Sequence, residues 1–365
     1  MPLEMQFGII GLPMSSKTTV FSALTGAAPD QPASAGGRVT VQRAVVDVPD
    51  ARVDVLAAMF QPRKVTRARV ALADIGGLQK GIGEGGLGGE LLNAVALNDA
   101  LLHVVRAFDD PDVPHLEGSV DPARDIALLD TELLLSDLVI VERRLEKLAE
   151  ALRRPLRAPE REAHEAEQTV LRQVHAGLSD EVPARDLELD EAARHALRGF
   201  QLLTLKPVVI VLNTGDDELA DPAAAVPYPH RHSAVVGLRG RLESELAQLD
   251  ADDRALFMAE YGVERTGRER VLDTCYRLLG LQSFFTVGED EVRAWTIPIG
   301  ATALDAAAAI HTDLARGFIR AEVVAYDDLI AAGGMAGARQ AGKQRMEGRH
   351  YVVADGDVLH VRFNV

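Results

Sequence analysis

The run Gly11-Leu12-Pro13-Met14-Ser15-Ser16-Lys17-Thr18-Thr19 holds the first residues that could do chemistry. It stands between an apolar stretch, Gln6 to Ile10, and the start of a helix, Thr19 to Leu24. A loop at that place can cradle phosphates, because backbone N–H groups and the helix N-terminus point at an anion. Lys17 would neutralise the β- and γ-phosphates, and the Thr18 hydroxyl would ligate Mg²⁺. The full pattern has glycine where this chain has Ser16, since a side chain there crowds the closing backbone. A chance strand–turn–helix is the alternative.

Two more groups follow in the order a nucleotide site requires. Asp74-Ile75-Gly76-Gly77 comes after an apolar strand, Arg69 to Ala73, and suits a Mg²⁺-side Asp74 and a γ-phosphate-sensing Gly77. Eight of the fourteen residues from Gly76 to Gly89 are glycine, so ordering them is costly, as in a switch loop that orders around nucleotide. A plain strand-end turn and a surface loop are the alternatives. Asn213-Thr214-Gly215-Asp216 follows the run Pro207 to Leu212. The Asp216 carboxylate could accept hydrogen bonds from the ring N–H and exocyclic amine of guanine, where adenine offers no such pair of donors. An Asx turn closing the strand is the alternative.

These groups need elements to hold them. Strands at 6–10, 69–73, 101–108, 207–212 and 232–238, separated by helical patterns, predict βαβ units and a parallel sheet. Between the third and fourth, Leu134, Leu138, Val141, Leu145, Leu148 and Leu152 form a heptad seam that ends at Pro155 and Pro159. A second helix over 161–177 would close an antiparallel pair, read either as packing within one domain or as a projecting arm. From about Leu281, strands at 292–297, 321–326 and 358–365 predict a small mixed domain.

The chain has 365 residues and a net charge of −16, which argues against wrapping of DNA. Apolar runs such as Val208 to Leu212 are too short for a membrane span, and Met1 to Leu12 lacks the build of a signal peptide. The single cysteine, Cys275, lies in an apolar helical stretch and reads as a small buried residue in a reducing cytoplasm. Neither a membrane nor sequence-specific DNA is expected as a partner. From Leu281 onward, eight basic residues face eleven acidic ones, so RNA contact there would need a local cluster. Arg339, Lys343, Arg345 and Arg349 offer one, a solvated face being the alternative.

Over nearly its whole length the chain resembles the YchF family, the Obg-like P-loop NTPases. Gly11 to Gly26 resembles that family's G-L-P-N-V-G-K-S-T-L-F-N-A-L-T, and Val48 to Asp54 its M-P-D-P-R-L-D. Glu291–Trp295, Gly300–Thr302, Ile310–Asp313, Gly317–Glu322 and Asp355–Val365 resemble its TGS domain. The resemblance implies an α/β fold: a P-loop NTPase G domain (1–120 and 200–280), an inserted antiparallel helical coiled coil (121–199) and a C-terminal β-grasp TGS domain (281–365). It implies GTP or ATP as ligand, Mg²⁺ as cofactor, and contact with ribosomes or RNA through the TGS domain and the helical arm. His115, in Asp112-Val113-Pro114-His115, matches the family's candidate for positioning the attacking water, since Leu78 stands where ordinary GTPases carry glutamine. A surface-loop histidine is the other reading.

The departures are local. Met14 replaces the family's Asn, Ser16 its Gly, and Asp216 its Glu at the base site; Thr214 stands where GTPases carry a base-packing Lys. No switch I threonine is identified, Thr40 being nearest at an unsuitable offset. The expectation is a slow, Mg²⁺-dependent purine triphosphatase acting as a translation-associated switch. Lys17 and Gly77 would serve the chemistry with His115. Gly11 to Thr19, Asn213 and Asp216 would bind nucleotide, and Thr18 and Asp74 the metal. The competing expectation is a degenerate G domain that scaffolds ribosome or protein contacts.

Overall fold

A computed structural model describes residues 5–27, 40–76, 88–215, 219–260, 263 and 265–364. Its first sheet has the strand order β2-β4-β1-β5-β6-β7. The strands are β1 (Gln6–Ile10), β2 (Thr40–Asp47), β4 (Arg69–Gly76), β5 (Ala100–Arg106), β6 (Val208–Asn213) and β7 (Ser233–Leu238). β1, β5, β6 and β7 run parallel, with Ile10 opposite His103, Arg106 opposite Asn213, and Asn213 opposite Leu238. Every residue of β5 and β6 is buried, which is why they read as continuous apolar runs: both faces of a parallel sheet are covered. The register brings the chemistry-bearing strand ends to one edge.

Helix α1 (Lys17–Thr25) leaves the loop after β1, α2 is Ala51–Phe60 and α3 is Gly89–Ala96. The heptad seam becomes α4 (Pro122–Leu152), and its partner becomes α5 (Ala158–Ser179). Asp121 caps α4 by accepting from the Arg124 N–H, and Pro122 opens the first turn, where its missing N–H costs nothing. Val141 and Leu148 are fully buried against Leu171, Val174 and Leu178, with Leu134, Leu138 and Leu145 packed beside them. Each such side chain contributes roughly 1.5–3 kcal/mol by leaving water. At the foot of the pair, the Asp137 carboxylate accepts from the Leu203 N–H (2.8 Å), the Thr204 N–H (2.7 Å) and the Thr204 hydroxyl (2.7 Å). Burial nonetheless pushes that carboxyl up to about 6.

The second sheet has the order β11-β10-β12-β8-β9-β3. It contains β3 (Lys64–Thr66), β8 (Leu281–Thr286), β9 (Glu291–Pro298), β10 (Phe318–Ala325), β11 (Arg345–Glu347) and β12 (Asp357–Phe363). Its core gathers Phe284, Trp295, Ile297, Phe318, Val323 and Leu359 against the alanine-rich helix Ala303–Ile310. Strand β10 starts three residues before the expected Ala321, and Tyr326 opens a helix instead of closing the strand. Cys275 is fully buried, and burial pushes its thiol well up, as a packing residue requires.

By packing, the chain divides into two compact units: 1–5, 45–71 and 272–365 form one, and 6–44 and 72–271 the other. The first takes in β3 (Lys64–Thr66), which adds parallel to β9 with Lys64 opposite Glu291. Contacts, not chain order, define such a unit, and a three-residue strand carries no periodicity to read in advance. Among the described residues no helix is long and apolar enough to cross a membrane.

Candidate active site

The loop after β1 bends at Gly11, whose φ of +153° puts its backbone against β5; a Cβ there would lie 2.3 Å from the Val104 carbonyl oxygen. Met14 (φ 62°) and Ser16 (φ 65°) both adopt the left-handed conformation. That conformation costs an L-residue roughly 1–2 kcal/mol. Ser16 therefore takes the backbone shape that glycine would take freely, and its side chain makes no capping hydrogen bond to α1. Met14 is exposed, whereas Ser15 is buried and its hydroxyl finds no partner among the described residues.

Lys17 folds back over the loop, donating from Nζ to the carbonyl oxygens of Leu12 (2.9 Å) and Gly11 (3.1 Å). Its neighbour Thr18 donates from Oγ1 to Asp74 Oδ2 at 3.0 Å. Burial lowers the Lys17 ammonium to about 8, and the nearby Asp74 charge opposes that only in part. Asp74 is itself raised by burial, against the Thr18 hydroxyl and Lys17. A cation, a hydroxyl and a carboxylate from two separate stretches thus meet beside the ends of two interior strands, β1 and β4. Hydroxyl and carboxylate oxygens suit Mg²⁺, which takes few protein ligands when substrate phosphates supply others. No cluster of three or more His, Cys, Asp or Glu side chains fit for a metal occurs among the described residues.

Thr40, set aside by its offset along the chain, lies against the site: a Cβ on Gly76 would meet the Thr40 hydroxyl at 2.7 Å. His103 carried no functional reading, although a lone imidazole inside an apolar strand was a visible signal. It is buried on β5 with Nε2 unpartnered among the described residues, and burial first, then Lys17, lowers it to about 3, so it stays neutral.

Asn213 ends β6, and its Oδ1 accepts from the Gly240 N–H at 3.1 Å, while the Thr214 N–H donates to the Leu238 carbonyl at 3.0 Å. These bonds tie the ends of β6 and β7 together. Gly215, with φ +67°, lies against Phe108, whose Cβ would be 3.0 Å from a Cβ at that position. Asp216, Gly77 and Leu78 lie outside the described residues.

His115 is held in its own turn. Its Nδ1 accepts from the Glu117 N–H (3.1 Å), which leaves the proton on Nε2 to donate to Asp125 Oδ2 (2.8 Å). Asp125 sits in the first turn of α4 and also takes Arg124. The structure therefore gathers Lys17, Thr18 and Asp74, and keeps both nitrogens of His115 occupied elsewhere.

In the C-terminal part, residues 281–364 match the family model YchF-GTPase_C, described as "Protein of unknown function (DUF933)". A ribosome-binding ATPase YchF from Bacillus subtilis is 39% identical over 98% of this chain and 99% of its own length. The chain belongs to the YchF family. An Obg-like ATPase 1 from Caenorhabditis elegans is 35% identical, covering 99% of this chain and 92% of that protein. The solved Schizosaccharomyces pombe YchF GTPase superposes with a TM-score of 0.84 at 31% identity, over 99% of this chain and 98% of that one. The architecture is accordingly that of YchF proteins: a P-loop G domain, a helical arm and a C-terminal domain.

Proposed function

We propose that this YchF-family protein binds a purine nucleoside triphosphate with Mg²⁺, hydrolyses it slowly, and uses the cycle as a switch at the ribosome. The meeting of Lys17, Thr18 and Asp74 is the observation that carries this reading. The names of the relatives, a ribosome-binding ATPase, an Obg-like ATPase and a YchF GTPase, support it. In this reading Lys17 trades its two carbonyl partners for phosphate oxygens, and the N–H groups of the loop and of α1 face the rest of the phosphate chain. Thr18 and Asp74 would hold Mg²⁺, with Thr40 and Gly77 closing on the γ-phosphate side. The ion, when bound, offsets the charge on the phosphate oxygens. His115 would leave Asp125 to orient the water.

For base choice the reading favours GTP. A carboxylate at Asp216 pairs both donors of guanine and is left unpaired by adenine, a loss that a buried polar group feels strongly. Side-by-side calorimetric titration with GTP and ATP, with and without Mg²⁺, tests all of this at once. GTP is expected to bind more tightly, only with Mg²⁺ at full affinity, and Asp216→Glu should move the balance toward ATP. Tighter ATP binding by the wild type would end the base argument. Failure of both nucleotides would leave the scaffold reading, which the strained Met14 and Ser16 favour.

A further inference from the structure

Arg106 closes β5 and is almost completely buried, at 3% exposure. No carboxylate lies within ion-pair distance of it among the described residues. A buried guanidinium without a counter-charge is costly unless its donors are filled. Here one loop fills them. Nε donates to the Phe108 carbonyl at 3.0 Å, Nη1 to the Val113 carbonyl at 2.9 Å, and Nη2 reaches the Asp110 carbonyl at 3.5 Å. The guanidinium also lies 4.8 Å from the centre of the Phe108 ring, a favourable cation–π placement.

The acceptor set ends two residues before His115. Pro114 stands between, and its ring fixes φ, so a held Val113 carbonyl constrains where the next residue can go. On its other side His115 is tied to α4 through Asp125 at 2.8 Å. The Asp125 tie joins two side chains and can open without unfolding anything. The Arg106 tie is buried, threefold and made to backbone, so it stays.

We propose that Arg106 is a positioning residue for hydrolysis: through Val113 and Pro114 it sets the place from which His115 acts. This rests on the reading of His115 as the group that orients water. Lysine should not replace it, because a single ammonium cannot span carbonyls from residues 108, 110 and 113 as a planar fork does.

The test uses the full chain with Arg106→Lys, Pro114→Gly, His115→Ala and the double variants with His115→Ala. GTP affinity is read by calorimetry and the hydrolytic step by single turnover. Pro114 is exposed, so its variant keeps the fold even where Arg106→Lys does not. We expect Arg106→Lys to bind GTP within about threefold of wild type and to hydrolyse it about tenfold more slowly, the scale of a displaced catalytic group. Pro114→Gly should slow hydrolysis in the same way. Each double variant should be no slower than His115→Ala alone, because both changes act through one group. Losses that multiply in the doubles, or wild-type rates in both Arg106→Lys and Pro114→Gly, would overturn the proposal. Wild-type hydrolysis by His115→Ala would remove the His115 reading and this inference with it. Failure of the wild type to bind either GTP or ATP would instead sink the P-loop reading, and a wild type that binds only ATP would carry the same test with ATP.

Discussion

Two cations, one in each compact unit, sit among carboxylates and are treated in opposite ways. Arg52 at the start of α2 is fully subscribed. It takes Asp50 through Nε (3.0 Å) and Nη2 (2.9 Å), takes Asp355 through Nη1 (2.8 Å) and Nη2 (3.2 Å), and lies 5.1 Å from the centre of the Phe285 ring. Burial works against its charge, but the two carboxylates outweigh burial and hold it firmly protonated. Lys17 has two neutral carbonyls and a carboxylate already engaged by Thr18, and burial brings it down to about 8. A cation with matched partners holds a fold together. A cation under-partnered beyond a strand end is suited to an anion from outside.

The largest effects should come from exchanging the fates of these two residues. Lys17→Ala should weaken triphosphate binding at least about a hundredfold, the loss of a charge-assisted contact to phosphate, while the melting temperature does not fall. Arg52→Ala should do the reverse, removing about 1–2 kcal/mol of stability, chiefly by leaving Asp50 without its guanidinium, with GTP affinity unchanged within about twofold. Calorimetry and thermal unfolding on both variants decide. A destabilised Lys17→Ala, or an Arg52→Ala that loses nucleotide, would erase the distinction.

A smaller effect is expected at Ser16. Glycine there would relieve a left-handed serine, by about 1 kcal/mol in the loop, and take a Cβ away from the phosphate cradle. Ser16→Gly should therefore tighten GTP several-fold. An unchanged or weaker affinity would show that the loop has adapted to serine.

A graded effect, small near pH 8, separates the two cations by pH. The free-state Lys17 loses its proton above about 8, and bound triphosphate favours the charged form. Binding above pH 8 must then draw in a proton, and affinity should fall by up to about tenfold per pH unit there. For stability the sign is opposite: the unfolded chain holds the Lys17 proton to higher pH, so this group raises stability as pH climbs from about 8 toward its ordinary value. Titration at pH 8.5 in buffers of different ionisation enthalpy should report proton uptake that is absent at pH 7. Equal uptake at both values would contradict the lowered lysine. Arg52 should contribute no such dependence.

Much of the site was legible because each of its residues lies at the end of an apolar run. Lys17 and Thr18 sit just past β1, Asp74 near the end of β4 and Asn213 at the end of β6, so strand patterns alone put them at strand ends. The helical pair was equally legible, since spacing by threes and fours needs no knowledge of the partner helix. Thr40 was not, because its offset along the chain says nothing about its approach to Gly76, which depends on how β2 and β4 run together. His115 was matched by resemblance, yet its bond to Asp125 depends on the angle at which α4 begins.

By itself, then, the sequence determined the order of the strands that carry the site and of the helical pair between them, the seam of α4, the departure from glycine at Ser16 and the candidate phosphate loop, all consequences of local backbone and side-chain chemistry; β2 and the left-handed backbone of Ser16 came only from the structure. Only the tertiary structure decided which polar groups are partnered. Arg52 meets Asp355 across 303 residues, Asp137 captures Leu203 and Thr204, β3 joins β9, and Arg106 is buried with carbonyls in place of a carboxylate. Hydrogen bonds and charges depend on distances of a few ångströms in a low-dielectric interior, and such distances are set by packing rather than by spacing along the chain.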